Sequence, residues 1–442
     1  MRLIDSLATT PAMAEVFSDT SLLRAMLDFE AALARAEART GVISHAAAEA
    51  IDRAASAELF DVGKLAKDSL RAGTLAIPLV KALTERVRAV DQEGARFVHW
   101  GATSQDVADT AIVLLLRRAS MVLAADHARL HVALRRLSEE HSNTVMLGRT
   151  LLQPAPPVTF GLKAAGWFGA LRRGWARLEA AFEDAMILEF GGASGTLAAL
   201  GERGVAVGAA LAEELKLRNP EAPWHAHRDR LAAVISGCGI YTGSLGKMAR
   251  DIALLMQGEV GEAAEAGSEG RGGSSTMPHK RNPTGCSLAL AAASRVPGLV
   301  AGYLAGMAQE HERGAGGWQA EWTTVARVME DTALALASMA EVAEGLRVDA
   351  PRMRANIDRT RGVIFAERAM ILLGAELGRD AAHQLLEQAT ERTIESGRRL
   401  KDVIADLPEA SRVLSKAQID NLESPEAYLG SAEVFRQQLL AP

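Results

Sequence analysis

Hydrophobic positions along this chain recur with helical rather than strand periodicity. The clearest tract runs from Asp109 to His141, where Leu116, Leu123, Leu130 and Leu137 repeat every seven residues and Val113, Val122 and Leu134 widen the stripe. Asp109 is a candidate N-cap for this helix. At 1.5 Å per residue it would run about 50 Å, longer than one compact domain needs. A stripe this wide predicts several helical neighbours in a bundle. Each leucine fits a subunit interface or an intramolecular core equally well.

Proline is absent between Pro78 and Pro154, Pro157 and Pro220, Pro223 and Pro278, and Pro297 and Pro351. Proline inside a helix removes a hydrogen bond and clashes with the preceding turn, so these tracts permit long helices. Ala, Leu, Arg and Glu, all good helix formers, dominate them. Further helices are predicted over 21–40, 161–189, 203–217, 229–265, 284–311, 320–345 and 363–378. Alternating strand patterns are scarce, and from about Asp349 the chain reads as shorter helices broken near Pro408 and Pro425. The predicted fold is all-α, in three domains: an N-terminal helical domain over 1–98, a central long-helix bundle over 99–346 and a C-terminal helical domain over 347–442.

Composition narrows the class without changing that picture. The 442 residues are 48% hydrophobic and 24% charged, ordinary values for a globular chain able to bury a large core. A formal net charge of −6 argues against a nucleic-acid partner held by a basic surface. Cys238 and Cys286, the only cysteines, make neither a disulfide framework nor a cysteine zinc site, which suits a reducing cytoplasm. The first residues lack the basic and apolar regions of a secretory signal, and AIVLLL before Arg117 is far shorter than the ~20 residues of a membrane span. The expectation is a soluble, cytoplasmic protein with neither a membrane nor a nucleic-acid partner.

Candidate chemistry sits in polar islands between the helices: HWGATSQDVADT (99–110), GRTLLQPAPPVTFG (148–161), PWHAHRDR (223–230), GGSSTMPHKRNPTG (272–285) and, more weakly, QEHERGAGGWQAEW (309–322). They carry the Thr, Ser, Gln, His, Arg, Lys and Asn side chains that grip carboxylates and move protons. No GxxxxGK[ST] phosphate loop occurs, GGASGT lacks nucleophile-elbow spacing, and no histidine set has a third ligand at metal-binding spacing. In the 272–285 loop, glycine-flanked serine beside Lys280 can have its alkoxide stabilised by backbone N–H groups, and Lys280 with Asn282 shares one face if extended. Read alone, the loop is equally a solvated connector.

That loop matches the fumarase/aspartase superfamily signature GSSxMPxKxNP at every defined position, while HWGATSQD and GRTLLQPAPPVTFG resemble the first and second shared blocks, in the same order. Within the superfamily, which includes adenylosuccinate and argininosuccinate lyases, the branch most resembled is the bacterial 3-carboxy-cis,cis-muconate cycloisomerases. The segments MLDFEAALARAEA, LAIPLVKALT, PWHAHRDR, STMPHKRNP and above all QEHERGAGGWQAEW carry that likeness. It implies a homotetramer without cofactor or metal, whose active sites are shared between three chains, acting on a small polycarboxylate. The implied reaction is lactonisation of 3-carboxy-cis,cis-muconate, the reverse of a β-elimination. Alternatives are a cycloisomerase for another 3-substituted muconate such as a sulfomuconate, an adenylosuccinate lyase-like C–N lyase, and a catalytically silent structural homologue.

By motif position, the resemblance implies Ser274 as proton donor and Lys280 with Asn282 as the charge-stabilising pair. Thr103, Ser104, Gln153, Arg313 and Ser275 are implied substrate-binding residues. Arg228 is implied as a substrate anchor, with an ion pair to Asp229 as the equal alternative. His99 is a candidate substrate contact or a hydrogen-bonded structural histidine, and Trp318 and Trp322 shape the pocket or pack. One departure stands out: where lyases read THxQ, this chain reads Thr150-Leu151-Leu152-Gln153; some carboxymuconate cycloisomerases carry a histidine three positions further on, where this chain has Pro154, and neither Leu nor Pro transfers a proton.

Overall fold

The computed structural model describes residues 3–267, 272–273, 276–277 and 279–441. Its architecture is all-α, as the periodicity predicts. The helices used below are α1 (Asp19–Arg39), α2 (Ser104–Glu140), α3 (Phe160–Ala185), α4 (Asp229–Leu255), α5 (Thr284–Ala305), α6 (Gly317–Gly345) and α7 (Ala350–Arg359). The heptad leucines of α2 are all buried, with Leu116, Leu123, Leu130 and Leu137 at most 2% exposed. The stripe is therefore core within a single chain.

Two corrections to the predicted elements have plain causes. Helix α2 begins five residues before Asp109, so Asp109 is not its cap; the carboxylate is buried and accepts hydrogen bonds from distant side chains. The helix entry is instead set at Thr103, whose N–H donates to Asp106 Oδ2 at 2.9 Å. Second, the island 148–161 is not a simple connector. It contributes to an antiparallel hairpin of β1 (Val145–Thr150) and β2 (Gln153–Thr159), closed by Leu151 and Leu152 at φ 49° and 65°. A two-residue hairpin turn with both central residues left-handed normally selects Asn or Gly, so the Leu-Leu pair gave no turn signal. Strand β2 also holds Pro154, Pro156 and Pro157, a composition that reads as loop.

Contacts divide the chain into two units, each interleaving segments. The first comprises Met1–Ala128, Arg173–Gly246 and Leu288–Ser338; the second comprises Arg129–Arg172, Lys247–Ser287 and Met339–Pro442. The boundaries between the units fall inside long helices. In the first unit, Thr242 of α4 lies 3.3 Å from Thr332 of α6, and Arg295 of α5 pairs with Asp331 of α6. His127 of α2 meets Tyr241 of α4 at 2.7 Å. In the second, Arg129 of α2 pairs with Glu344 of α6 through Nε and Nη2, and Trp167 of α3 donates to Asp251 of α4. Its last helices bury Leu373, Leu400, Ile404 and Leu422 in a core of their own.

Because Leu123 is fully buried, Leu123→Ala should cost about 2–5 kcal/mol, the usual range for a leucine truncated in a packed core. Leu70, 88% exposed, should tolerate the same change. Chemical denaturation of the two variants checks this, and equal midpoints would contradict the assignment of the stripe to the core.

Candidate active site

In the first unit, the segment before α2 folds back sharply. His99 and Gly101 both take left-handed backbone, at φ 62° and 74°. Beyond them, Asp106 gathers several islands. Its buried carboxylate accepts the N–H groups of Thr103, Gly191 and Gly192 at 2.9–3.0 Å, and His225 Nε2 lies 2.6 Å away. A side chain at Gly192 could not be accommodated: its φ is 69° and a Cβ would come within 2.7 Å of the Gly101 carbonyl oxygen. Glu189 joins this cluster at 3.3 Å from His225 Nε2. Burial, reinforced by Asp109 and Asp106, raises its pKa well above the carboxylate range. Asp106, Glu189 and His225 lie close enough to suggest a cation site. The donors already gathered on Asp106 instead define a hydrogen-bonded frame.

This frame presents Thr103 next to Arg313. Arg313 Nη1 donates to Thr103 Oγ1 at 2.8 Å, and Nη2 donates to the Ala193 carbonyl at 3.0 Å. Ser104 follows at the first turn of α2, half-buried like Thr103 and Arg313. His99 Nδ1 lies 2.7 Å from Glu30 Oε1. Burial by itself disfavours a charged ring there, but the adjacent Glu30 carboxylate, helped by Asp106, raises the His99 pKa above its ordinary value. Four of the predicted residues, His99, Thr103, Ser104 and Arg313, are thus held within one unit.

Arg228 is the correction. Its side chain is 1% exposed and is bound by two carboxylates, neither of them Asp229. Nη1 and Nη2 donate to Asp109 at 2.7 and 3.0 Å, while Nε and Nη2 donate to Glu321, the shortest contact being 2.6 Å. The guanidinium also lies over the Trp224 ring, 4.8 Å from its centroid. Trp318 Nε1 and Gln105 Nε2 donate to Asp109, and Tyr303 Oη and Gln309 Nε2 donate to Glu321, all at 2.9–3.0 Å. The guanidinium is thus engaged with Asp109 and Glu321 in place of the ion pair with Asp229. Trp318 packs in this network and stands edge-on to Trp322. Sequence reasoning missed Asp106, Asp109, Glu189, His225 and Glu321 as a connected set. The available signal was two aspartates three apart at the start of an otherwise apolar stripe.

In the second unit, Gln153 is exposed at the start of β2, beside Leu151 and Leu152, 97% and 76% exposed. Behind it, Arg149 of β1 grips the fully buried Glu262 carboxylate in a fork at 2.9 and 2.6 Å, and Asn356 of α7 donates to the same carboxylate at 2.7 Å. Gln153, Arg149, Asn356 and Arg359 line a cavity of about 580 Å³. The 272–285 loop closes on itself where it is described: Asn282 N–H donates to the Gly272 carbonyl at 2.8 Å and Lys280 N–H to the Met277 carbonyl at 3.0 Å. Its exit is held by Glu265, whose carboxylate accepts the N–H groups of Gly285 and Cys286 at the start of α5, both at 2.9 Å. Lys280 is exposed and Asn282 half-buried. Ser274 and Ser275 lie outside the described residues.

A family model described as lyase matches residues 6–298. Another, described as adenylosuccinate lyase C-terminus, matches residues 362–439. The chain belongs to this lyase family, within the fumarase/aspartase superfamily. Among its relatives, the 3-carboxy-cis,cis-muconate cycloisomerase of Pseudomonas aeruginosa is 50% identical over 440 residues, covering 100% of this chain and 96% of that one. The enzyme of the same name from Bradyrhizobium diazoefficiens is 49% identical, covering 99% and 97%. The crystal structure of 3-carboxy-cis,cis-muconate lactonizing enzyme from Pseudomonas putida matches with a TM-score of 0.93 at 48% identity, covering 99% of this chain and 98% of that one.

Replacing Arg228 by Met leaves two buried carboxylates without their cation, which should destabilise the fold by about 3–5 kcal/mol. Thermal unfolding is the check. A variant as stable as the parent, with only a raised KM, would return Arg228 to the substrate.

Proposed function

We propose that this chain is a cycloisomerase that lactonises 3-carboxy-cis,cis-muconate. The observation that carries the reading is identity of about one half, along the full length, to enzymes of that name. In the reaction a substrate carboxylate oxygen forms the new C–O bond to one carbon of a muconate double bond. The displaced electron pair moves to the neighbouring carbon, beside another carboxylate, and that carbon takes a proton. Electrons balance within one molecule, so the step itself calls for no redox partner.

The barrier lies in the aci-carboxylate formed on the way, and preorganised cations and donors supply most of its stabilisation. In this reading Ser274 delivers the proton, Lys280 and Asn282 hold the developing charge, and Thr103, Ser104, Gln153, Arg313, Ser275 and His99 grip the carboxylates. The pairing of Arg313 with Thr103 supports that grouping. Leu151, standing where lyases use a histidine as acid/base, fits lactonisation because the attacking carboxylate is already ionised and needs no base, while Pro154 stands where some carboxymuconate cycloisomerases carry a histidine. The same departure favours, as a second reading, a muconate with another anionic group at C3, such as a sulfomuconate.

The chain is further read as a cytoplasmic homotetramer of the three-part organisation 1–98, 99–346 and 347–442, with sites shared between three chains. Helix α5 supports assembly: it is long and apolar enough to cross a membrane, yet only 22% of its most apolar window is buried within one chain. Copies of the same chain are the proposed cover. Light scattering should give a tetramer, and a monodisperse monomer would contradict shared sites.

Turnover is read as ultraviolet loss of the conjugated diene on adding 3-carboxymuconate. Ser274→Ala should lower kcat by roughly 10²–10⁴-fold, the usual worth of a positioned proton-transfer group, with unchanged assembly. Near-parental turnover would remove Ser274 from its role. Turnover of adenylosuccinate in place of the muconate would overturn the activity itself.

A further inference from the structure

The buried face of helix α1 carries two carboxylates where a core should carry none. Glu30 and Glu37 are 1% and 0% exposed, among buried Phe29, Leu33, Ala34 and Ala36. A buried carboxylate is costly unless it is paired or protonated, and the two glutamates meet that condition differently. Both Glu37 oxygens lie buried without a hydrogen-bond partner. Burial, with Glu30 adding to it, pushes the Glu37 carboxyl up to about 9, so it is neutral at pH 7. Glu30 instead has His99: Oε1 lies 2.7 Å from Nδ1, a distance typical of a charge-assisted bond.

The charged groups that act on the His99 ring are Glu30 from α1 and Asp106 from the first turn of α2, and both are acidic. His99 also keeps a left-handed backbone at φ 62°, a conformation a non-glycine residue retains only when its surroundings hold it. It stands four residues before Thr103, in the island where Arg313 is bonded to that threonine. With Nδ1 committed to Glu30, Nε2 is the nitrogen left to meet a ligand.

We propose that Glu30 is a positioning residue that holds His99 as an imidazolium, making its Nε2–H a cationic donor for a substrate carboxylate. The inference rests on the cycloisomerase reading for the identity of that substrate, and on this chain's geometry for the dyad. Glu37 supports it by staying neutral, which leaves His99 as the counter-ion of Glu30. The sign of the pH dependence follows. A histidine with a raised folded pKa stabilises the protein fully below its ordinary value of about 6.5, and that contribution fades as pH rises through the folded value.

The test reads the ring directly. Hydrogen–deuterium exchange at histidine C2, followed by mass spectrometry across pH, gives the titration midpoint of His99 in the intact protein. Glu30→Gln should lower that midpoint by about 1–3 pH units, the usual effect of removing an opposite charge at this range. Glu30→Asp should keep most of the shift, and Glu37→Gln should leave it in place. With 3-carboxymuconate, Glu30→Gln should raise KM more than it lowers kcat and move the alkaline limb of kcat/KM to lower pH. An unchanged midpoint in a folded Glu30→Gln protein overturns the dyad. A shifted midpoint with unchanged KM at every pH overturns the carboxylate role. If Glu30→Gln fails to fold, the Glu30→Asp and parent titrations decide: an ordinary midpoint in both also overturns the dyad. If 3-carboxymuconate is not turned over, the exchange experiment still reads the dyad. Citrate, a tricarboxylate probe, should then slow His99 exchange in the parent and less so in Glu30→Gln; equal effects in both would count against the proposal.

Discussion

One buried cation organises the first unit. Arg228 is held between Asp109 and Glu321, out of water, and this arrangement is stable only while every partner stays in place. One positive charge faces two negative ones, and the excess is spread over donors from Trp318, Gln105, Tyr303 and Gln309. Those groups come from α2, α5, α6 and the segments leading into α4 and α6. Fixing the guanidinium therefore fixes the start of three long helices against one another. Asp106, one turn before Asp109, extends the same frame to the loop at Gly191 and Gly192. The residues read as substrate-binding in this unit stand on that frame, and a site on a rigid support keeps its geometry without help from the ligand.

The fold was legible where a single physical rule dominates. Proline-free, leucine-striped tracts predicted the long helices because nothing local competes with helix there. Helix α2 came out with the right face but the wrong start, since a polar residue before an apolar run looks the same whether it caps a helix or neutralises a buried arginine. Strands β1 and β2 were illegible for the opposite reason: their turn uses two leucines and one strand is rich in proline, so local propensity points away from what tertiary contacts impose.

The site divides along similar lines. The motifs singled out the islands, and the structure places His99, Thr103, Ser104 and Arg313 in one unit and Gln153, Lys280 and Asn282 in the other. The ion pair of Arg228 was misread because Asp229 is its neighbour in sequence, whereas its partners lie 93 and 119 positions away. Glu30 was hidden altogether: a glutamate in an alanine-rich helix reads as solvent-facing, and only the pairing with a residue 69 positions away shows otherwise.

The prolines of β2 have a consequence beyond the hairpin. A two-stranded sheet has open edges, and an apolar tip such as Leu151-Leu152 beside one would ordinarily invite strand addition from another chain. Pro154, Pro156 and Pro157 carry no N–H, so that strand cannot present the continuous ladder of donors that templating requires. The hairpin can thus vary its tip residues, apolar ones included, with little added risk of aggregation.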